Sequence, residues 1–285
     1  MWREFVELSR PKNMVLATIS VPLGAHLALD GTWDYHAIVP VALQTTSVLC
    51  FMAAGNTFND IADSAIDAVA KPHKPIPSER VKESTATKFA YSATVLSMLF
   101  MLLGASQIES PEVLIGIWFA AAFLMWSYDM GPATKKMGLI GNFAISLMVG
   151  LVIVYGAAAV SGWNNTLVLF VGGVAFFANL GREIIKDCED MESDEGRNTL
   201  PMKVGLMNAR AYAYMCILAS MVTLGLAHLY GPFEYHHIVF HAPAIFILFS
   251  LNGPLFRGED HSAQQNVRLG MLLGLLAFAV QVTVL

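Results

Sequence analysis

The residues with the clearest chemical signature are Asn59, Asp60, Asp63 and Asp67, which close a long apolar run as Asn-Asp-Ile-Ala-Asp-Ser-Ala-Ile-Asp. Asp60, Asp63 and Asp67 are spaced i, i+3, i+7, so a helix puts them on one face. Three like charges there repel, and a bound cation is the simplest way to make the arrangement favourable. The same spacing returns in Asp187, Asp190 and Asp194, with Glu183 one turn earlier. Two clusters of one spacing predict two facing metal sites. Carboxylates without His or Cys select hard cations, Mg2+ above all, which takes one or two carboxylates and completes its shell with waters and phosphate oxygens. Cations for a phosphate are close at hand: Lys71, Lys74 and Arg80 follow the first cluster, Lys135 and Lys136 lie on a later loop, and Arg182, Lys186 and Arg197 frame the second cluster. Metal and cations together stabilise charge on a leaving diphosphate. Placed at the mouth of an apolar helical cavity, such a site reads as a cradle for a polyprenyl diphosphate whose tail runs into the membrane.

Other readings compete. A single Asp at a membrane face is most often a solvated charge, but a duplicated cluster interleaved with cations points to function, as ionisable groups at the membrane usually do. A coupled ion pathway would keep its charges nearer the bilayer midplane. A purely structural membrane protein would tolerate Asp→Ala changes in both clusters.

The elements that position these residues are membrane helices. The chain is 55% hydrophobic and 14% charged, where soluble domains carry about 25% charged residues. Nine apolar runs of spanning length fall at roughly 13–29, 37–58, 85–105, 113–128, 139–160, 166–185, 209–230, 238–256 and 267–285. All are expected to be helical, because backbone groups in lipid must pair within their own segment. With nine spans, all 17 Lys and Arg residues fall on one side and the opposite loops carry only acidic charge. The basic side is cytoplasmic, so the N-terminus and both clusters face the cytoplasm and the C-terminus lies outside. Met1 to Lys12 shows no cleavable-signal pattern. The chain reads as one membrane-embedded domain, 1–285, of two related halves, roughly 1–130 and 131–285, each with a cluster at corresponding positions. Three cysteines (Cys50, Cys188, Cys216) suggest buried thiols rather than disulfides. His26, His228, His236, His237 and His241 lie toward the outer side and read as structural. Nothing suggests nucleic acid binding.

The first cluster followed by Lys-Pro-His-Lys-Pro-Ile-Pro-Ser (71–78) resembles the UbiA superfamily of intramembrane prenyltransferases, whose corresponding run has Arg for these lysines and commonly Gly where this chain has Glu79. Arg10-Pro11-Lys12-Asn13 and Lys136-Met137-Gly138-Leu139-Ile140-Gly141-Asn142 also look like the family, and the likeness covers essentially the whole chain. It implies an all-α fold, with nine transmembrane helices around a central cavity capped on the cytoplasmic side by the two motif loops. It also implies Mg2+ held by Asp60, Asp63, Asp67, Asp187, Asp190 and Asp194. Asn59, Lys71, Lys74, Arg80, Lys135, Lys136 and Arg182, with Arg10 and Asn13, would contact diphosphate or a phosphate on the acceptor. The run from Gly181 to Asp190, followed by Thr199-Leu200-Pro201, looks most like the archaeal branch that makes digeranylgeranylglyceryl phosphate. That branch implies geranylgeranyl diphosphate as donor and geranylgeranylglyceryl phosphate as acceptor, with membrane lipids as surroundings. Chlorophyll synthases share part of the pattern, including the Leu-Pro, so a chlorophyllide or quinone-precursor acceptor stays open.

Overall fold

The structure, a computed structural model, describes residues 2–192 and 198–285, and among them the regular elements are all helical. A short α1 (Trp2–Ser9) precedes α2 (Pro11–Ala28). Between them Arg10 adopts a left-handed backbone, φ 52°, and Pro11 opens α2 where its missing N–H costs nothing. The Asp34 carboxylate caps α3 (Tyr35–Ala62) by accepting from the Ala37 N–H at 2.9 Å. The helix breaks at Asp63 and resumes as α4 (Ser64–Ala70). There follow α5 (Glu83–Ala105), α6 (Glu112–Asp129), α7 (Leu139–Ala158) and α8 (Thr166–Glu189), the last capped by Asn165. The remainder is a short α9 (Leu200–Val204), α10 (Leu206–Tyr230), α11 (Ala242–Phe249), α12 (Asn252–Phe256) and α13 (Asp260–Val284).

Among the described residues, eight helical stretches are long and apolar enough to cross a bilayer. The 18-residue α2 packs beside them against α3, α7 and α13 but is less apolar, because Lys12, Asn13 and His26 lie within it. The run expected as one helix over 238–256 is instead three pieces, a 3-10 turn at Tyr235–His241 followed by α11 and α12. Pro243 begins the second piece and Gly253-Pro254 sits in the third, and proline can neither donate nor continue a helix through its own preceding turn. Large apolar side chains such as Phe119, Phe123, Val222 and Phe246 are exposed on the outside of the bundle. A belt of that size would be an aggregation surface in water and faces lipid tails in a bilayer. The chain is a multi-pass membrane protein.

Two long antiparallel pairs, α3 with α5 and α8 with α10, dominate the bundle, and a carboxylate motif stands in the connection of each pair. The most enclosed span is α8, so the second motif emerges from the middle of the bundle. Packing is closest between α2 and α7. A Cβ placed on Gly24 would lie 2.0 Å from the Ile153 carbonyl oxygen, and one on Gly156 would lie 2.0 Å from that of Val21, so small residues let the two backbones touch. At the end remote from the motifs, the Gln281 amide joins buried His228 and His241 at 3.2 and 3.1 Å, a cross-link between spans consistent with a structural role.

Candidate active site

The break at Asp63 changes how the first cluster faces its surroundings. The three aspartates do not share one partner, as an unbroken helical face would predict. Lys74 Nζ bridges Asp60 at 2.9 Å and Asp67 at 2.5 Å. Lys135 Nζ, delivered by the 3-10 turn Thr134–Met137, bridges Asp63 at 2.8 Å and Asp129, the last residue of α6, at 3.1 Å. Asn59 Nδ2 donates to Asp129 at 3.1 Å, and Arg10 donates to Asn59 Oδ1 at 3.3 Å and to Asp60. Asp60, Asp67, Asp129 and Lys135 are all buried. Buried charges persist only when paired and hydrogen-bonded, and each of these four is.

A second wall is built from α7, α8 and α13. Asn142 Nδ2, in the first turn of α7, donates to Asp187 at 2.8 Å. One turn before Asp187, buried Glu183 accepts from Arg182 at 2.7 Å and from Lys186 at 3.4 Å. Arg182 also reaches Gln264 on α13 at 3.3 Å, and Arg268 donates to Asn13 Oδ1 at 3.1 Å. Asp190 caps the C-terminus of α8. Asp194 and Arg197 lie outside the described residues.

Between the walls lies a cavity of about 420 Å³. Arg10, Asn59 and Asp129 line its mouth on one side and Arg182, Glu183 and Lys186 on the other; deeper in, Phe51, Ile117, Met148 and Leu275 make it apolar. Trp118 and Tyr155 also line it, and both are anchored in a buried polar lattice. The Tyr155 hydroxyl donates to Gln44, the Gln44 amide to the Met101 carbonyl at 3.1 Å, and Trp118 Nε1 to Ser97 at 3.0 Å. This lattice ties α3, α5, α6 and α7 together with its polar groups satisfied. A polar mouth with cations and carboxylates above an apolar shaft takes an amphiphile, charged head outward.

The sequence matches the UbiA prenyltransferase family over residues 16–276. The chain belongs to the UbiA prenyltransferase family. Similar relatives include the digeranylgeranylglyceryl phosphate synthases of Methanopyrus kandleri, 34% identical over 97% of this chain and 98% of the relative, and of Methanobrevibacter smithii, 30% identical over 97% and 96%. Among solved structures, a digeranylgeranylglyceryl phosphate synthase aligns with 27% identity and a TM-score of 0.77, covering 100% of this chain and 99% of that one. A UbiA homolog from Archaeoglobus fulgidus bound to GPP and Mg2+ shares the fold at 16% identity and a TM-score of 0.66, covering 96% of this chain and 99% of that one.

In this UbiA protein, Asn59, Asp60, Asp63, Asp67, Lys74, Lys135 and Arg10 come together in one cluster, and Asn13, Arg182 and Asp187 belong to the second wall. Lys71 and Lys136 are exposed, and the Lys136 backbone donates to the Ala133 carbonyl at 2.8 Å and accepts from the Asn198 N–H at 3.1 Å. Arg80 forks onto Glu7 at 2.9 and 3.0 Å, away from the cavity, and that carboxylate raises the pKa of its guanidinium. Sequence reasoning missed Asp129 and Arg268. A lone carboxylate closing an apolar span six residues before a lysine was the available signal for Asp129; Arg268 had none, since only the fold brings α13 beside α8. Among the described residues no three carboxylates, histidines or cysteines converge as a ready ligand set. The oxygen-only donors nevertheless fit Mg2+, which asks the protein for one or two carboxylates and takes the rest of its shell from water and phosphate. Lys74 and Lys135 already show that each pair of carboxylates holds a cation between them.

Proposed function

We propose that the protein transfers a geranylgeranyl group from geranylgeranyl diphosphate to the free hydroxyl of geranylgeranylglyceryl phosphate, forming the second ether bond of archaeal membrane lipids. The observation that carries this reading is the cavity, an apolar shaft whose mouth joins two carboxylate-and-cation walls, in a chain similar end to end to digeranylgeranylglyceryl phosphate synthases. The allylic C–O bond breaks with its electron pair leaving on diphosphate. The acceptor oxygen then forms the new bond to the same carbon, and its proton passes to the released diphosphate. Arg10, Lys74 and Lys135 are placed to neutralise the leaving group, each able to turn from a carboxylate toward a phosphate oxygen. Asp60, Asp63 and Asp67, with Asp187, Asp190 and Asp194, are the residues that would hold Mg2+, which when bound supplies further charge neutralisation at the diphosphate. The apolar shaft excludes water that would quench the allylic cation. The basic residues put the motif face in the cytoplasm, with the C-terminus outside, and the two carboxylate-bearing helix pairs correspond to related halves, roughly 1–130 and 131–285.

The test is an assay of the purified protein in lipid with geranylgeranyl diphosphate and Mg2+, offering geranylgeranylglyceryl phosphate, a chlorophyllide and an aromatic acid in parallel. Product with the glyceryl phosphate alone, abolished by chelator and by Asp63→Ala, is expected. Turnover with a different acceptor instead would overturn the assignment.

A further inference from the structure

The two walls of the mouth differ in how their cations are partnered. On the first, Asp60, Asp63, Asp67 and Asp129 outnumber Arg10, Lys74 and Lys135, and every one of those cations is committed to a carboxylate. On the second, Asp187 accepts from Asn142 and Asp190 closes α8, while Arg182, Lys186 and Arg268 gather around Glu183, the carboxylate that all three face. Arg182 spends one Nη on Glu183 and the other on Gln264, while its Nε is buried with no hydrogen-bond partner. Lys186 makes a long contact to Glu183, 3.4 Å, and also feels Asp190 from the helix end. Arg268 donates to the neutral Asn13 and, among the described residues, has no carboxylate within ion-pair distance. All three side chains line the cavity. Glu183 offsets one of these three positive charges, and a further anion at the cavity surface would be favourable beside Arg182 and Arg268.

We propose that Arg182, Lys186 and Arg268 form a binding site for a phosphate monoester that needs no metal ion, and that this monoester is the phosphate of the lipid acceptor. The identity of the ligand rests on the proposed function; its charge rests on the wall itself. Carboxylates bind a diphosphate through a metal. The guanidiniums of Arg182 and Arg268 bind a bare phosphate directly, because the planar fork of arginine matches phosphate oxygens two at a time. With separate walls, donor and acceptor headgroups both lodge at one mouth while their tails share the apolar region beneath. Arg182 and Arg268 then select a phosphorylated glycerol lipid over the free alcohol.

The experiment compares binding of geranylgeranylglyceryl phosphate and of geranylgeranylglycerol to the full-length protein by calorimetry in excess EDTA. The wild type is expected to bind the phosphate at least tenfold more tightly than the alcohol without metal. Arg268→Gln, which keeps a donor for Asn13, should bring the two within about threefold and raise the KM for the phosphorylated acceptor at least tenfold, with the KM for geranylgeranyl diphosphate in Mg2+ kept within about threefold. Arg268→Lys, retaining the charge but not the fork, should fall between. Binding that requires Mg2+, an undiminished preference in Arg268→Gln, or a donor KM that rises as much as the acceptor's would each overturn the proposal. The proposed function is judged separately, by whether the wild type transfers a prenyl group to geranylgeranylglyceryl phosphate at all. If it does not, the site is still tested by dioleoyl phosphatidate against dioleoylglycerol in EDTA. A preference for phosphatidate that Arg268→Gln removes upholds the site, and no preference refutes it.

Discussion

Replacing Lys135 by Met removes the ammonium that stands between Asp63 at 2.8 Å and Asp129 at 3.1 Å, where the lysine side chain is only 3% exposed. The two carboxylate oxygens flanking it are therefore at most about 6 Å apart. At that separation, with an effective dielectric of about 20, two unit charges repel by roughly 3 kcal/mol. Removing one partner from a buried ionic network commonly costs about 3–5 kcal/mol, which agrees. For a chain of this size each kcal/mol moves the melting temperature by roughly 2–4 °C, so Lys135→Met should lower it by roughly 6–12 °C. The neighbouring Lys136 is exposed, and Lys136→Met should change stability by less than about 0.5 kcal/mol. Thermal unfolding of both variants in the same detergent, without ligand, makes the comparison. A Lys135→Met protein as stable as the wild type would refute the reasoning, because half-buried Asp63 and buried Asp129 would then be tolerated with no cation between them.

Two further outcomes follow from single positions. Glu79 has φ 58°, a left-handed conformation that costs an L-residue about 1–2 kcal/mol and a glycine nothing; Glu79→Gly should leave the melting temperature unchanged or higher, while the β-branched Glu79→Val should lower it, and a drop with Gly would contradict the strain. Arg80 and Glu7 form an exposed pair, 41% and 42% accessible, of a kind worth less than about 1 kcal/mol; Arg80→Ala should keep diphosphate release within about twofold, and a large rise in donor KM would show that Arg80 reaches the substrate after all.

Which features could be read from the sequence depended on how local their causes are. Span positions follow from runs of apolar residues, and the helix ends were off by a few residues where backbone pairing outlasts the apolar run. The helix α3 continues to Ala62, past the apolar residues ending near Phe58, because its hydrogen bonds run on through Asn59 to Ala62. The carboxylate motif was legible for the same reason, since its spacing lies within one stretch. Its partners were less so. The i, i+3, i+7 spacing assumes an unbroken helix, and the break at Asp63 turns that aspartate toward Lys135 while Asp60 and Asp67 turn toward Lys74. Lys71, Lys74 and Arg80 are alike in a sequence. Only folding brings Lys74 onto the carboxylates and leaves Arg80 on Glu7, a residue of α1 far away in the chain.

The first wall is also a structural joint. Its cations arrive from three separate places: Arg10 from the turn between α1 and α2, Lys74 from the loop after α4, and Lys135 from the connection between α6 and α7. Its carboxylates come from the end of α3, from α4 and from the last residue of α6. Each ion pair therefore closes a contact between segments that hydrophobic packing alone leaves to the bilayer, where apolar side chains gain little by choosing protein over lipid. Because these charges neutralise one another, the mouth can hold its shape before any substrate arrives, and a prenyl diphosphate meets preformed donors rather than having to assemble them. The same economy means that a substitution at Asp60, Asp67 or Lys74 removes a tertiary cross-link along with a group proposed to act on the diphosphate. Lost turnover in such variants can then be assigned to chemistry only where their unfolding temperature in the absence of substrate stays at the wild-type value.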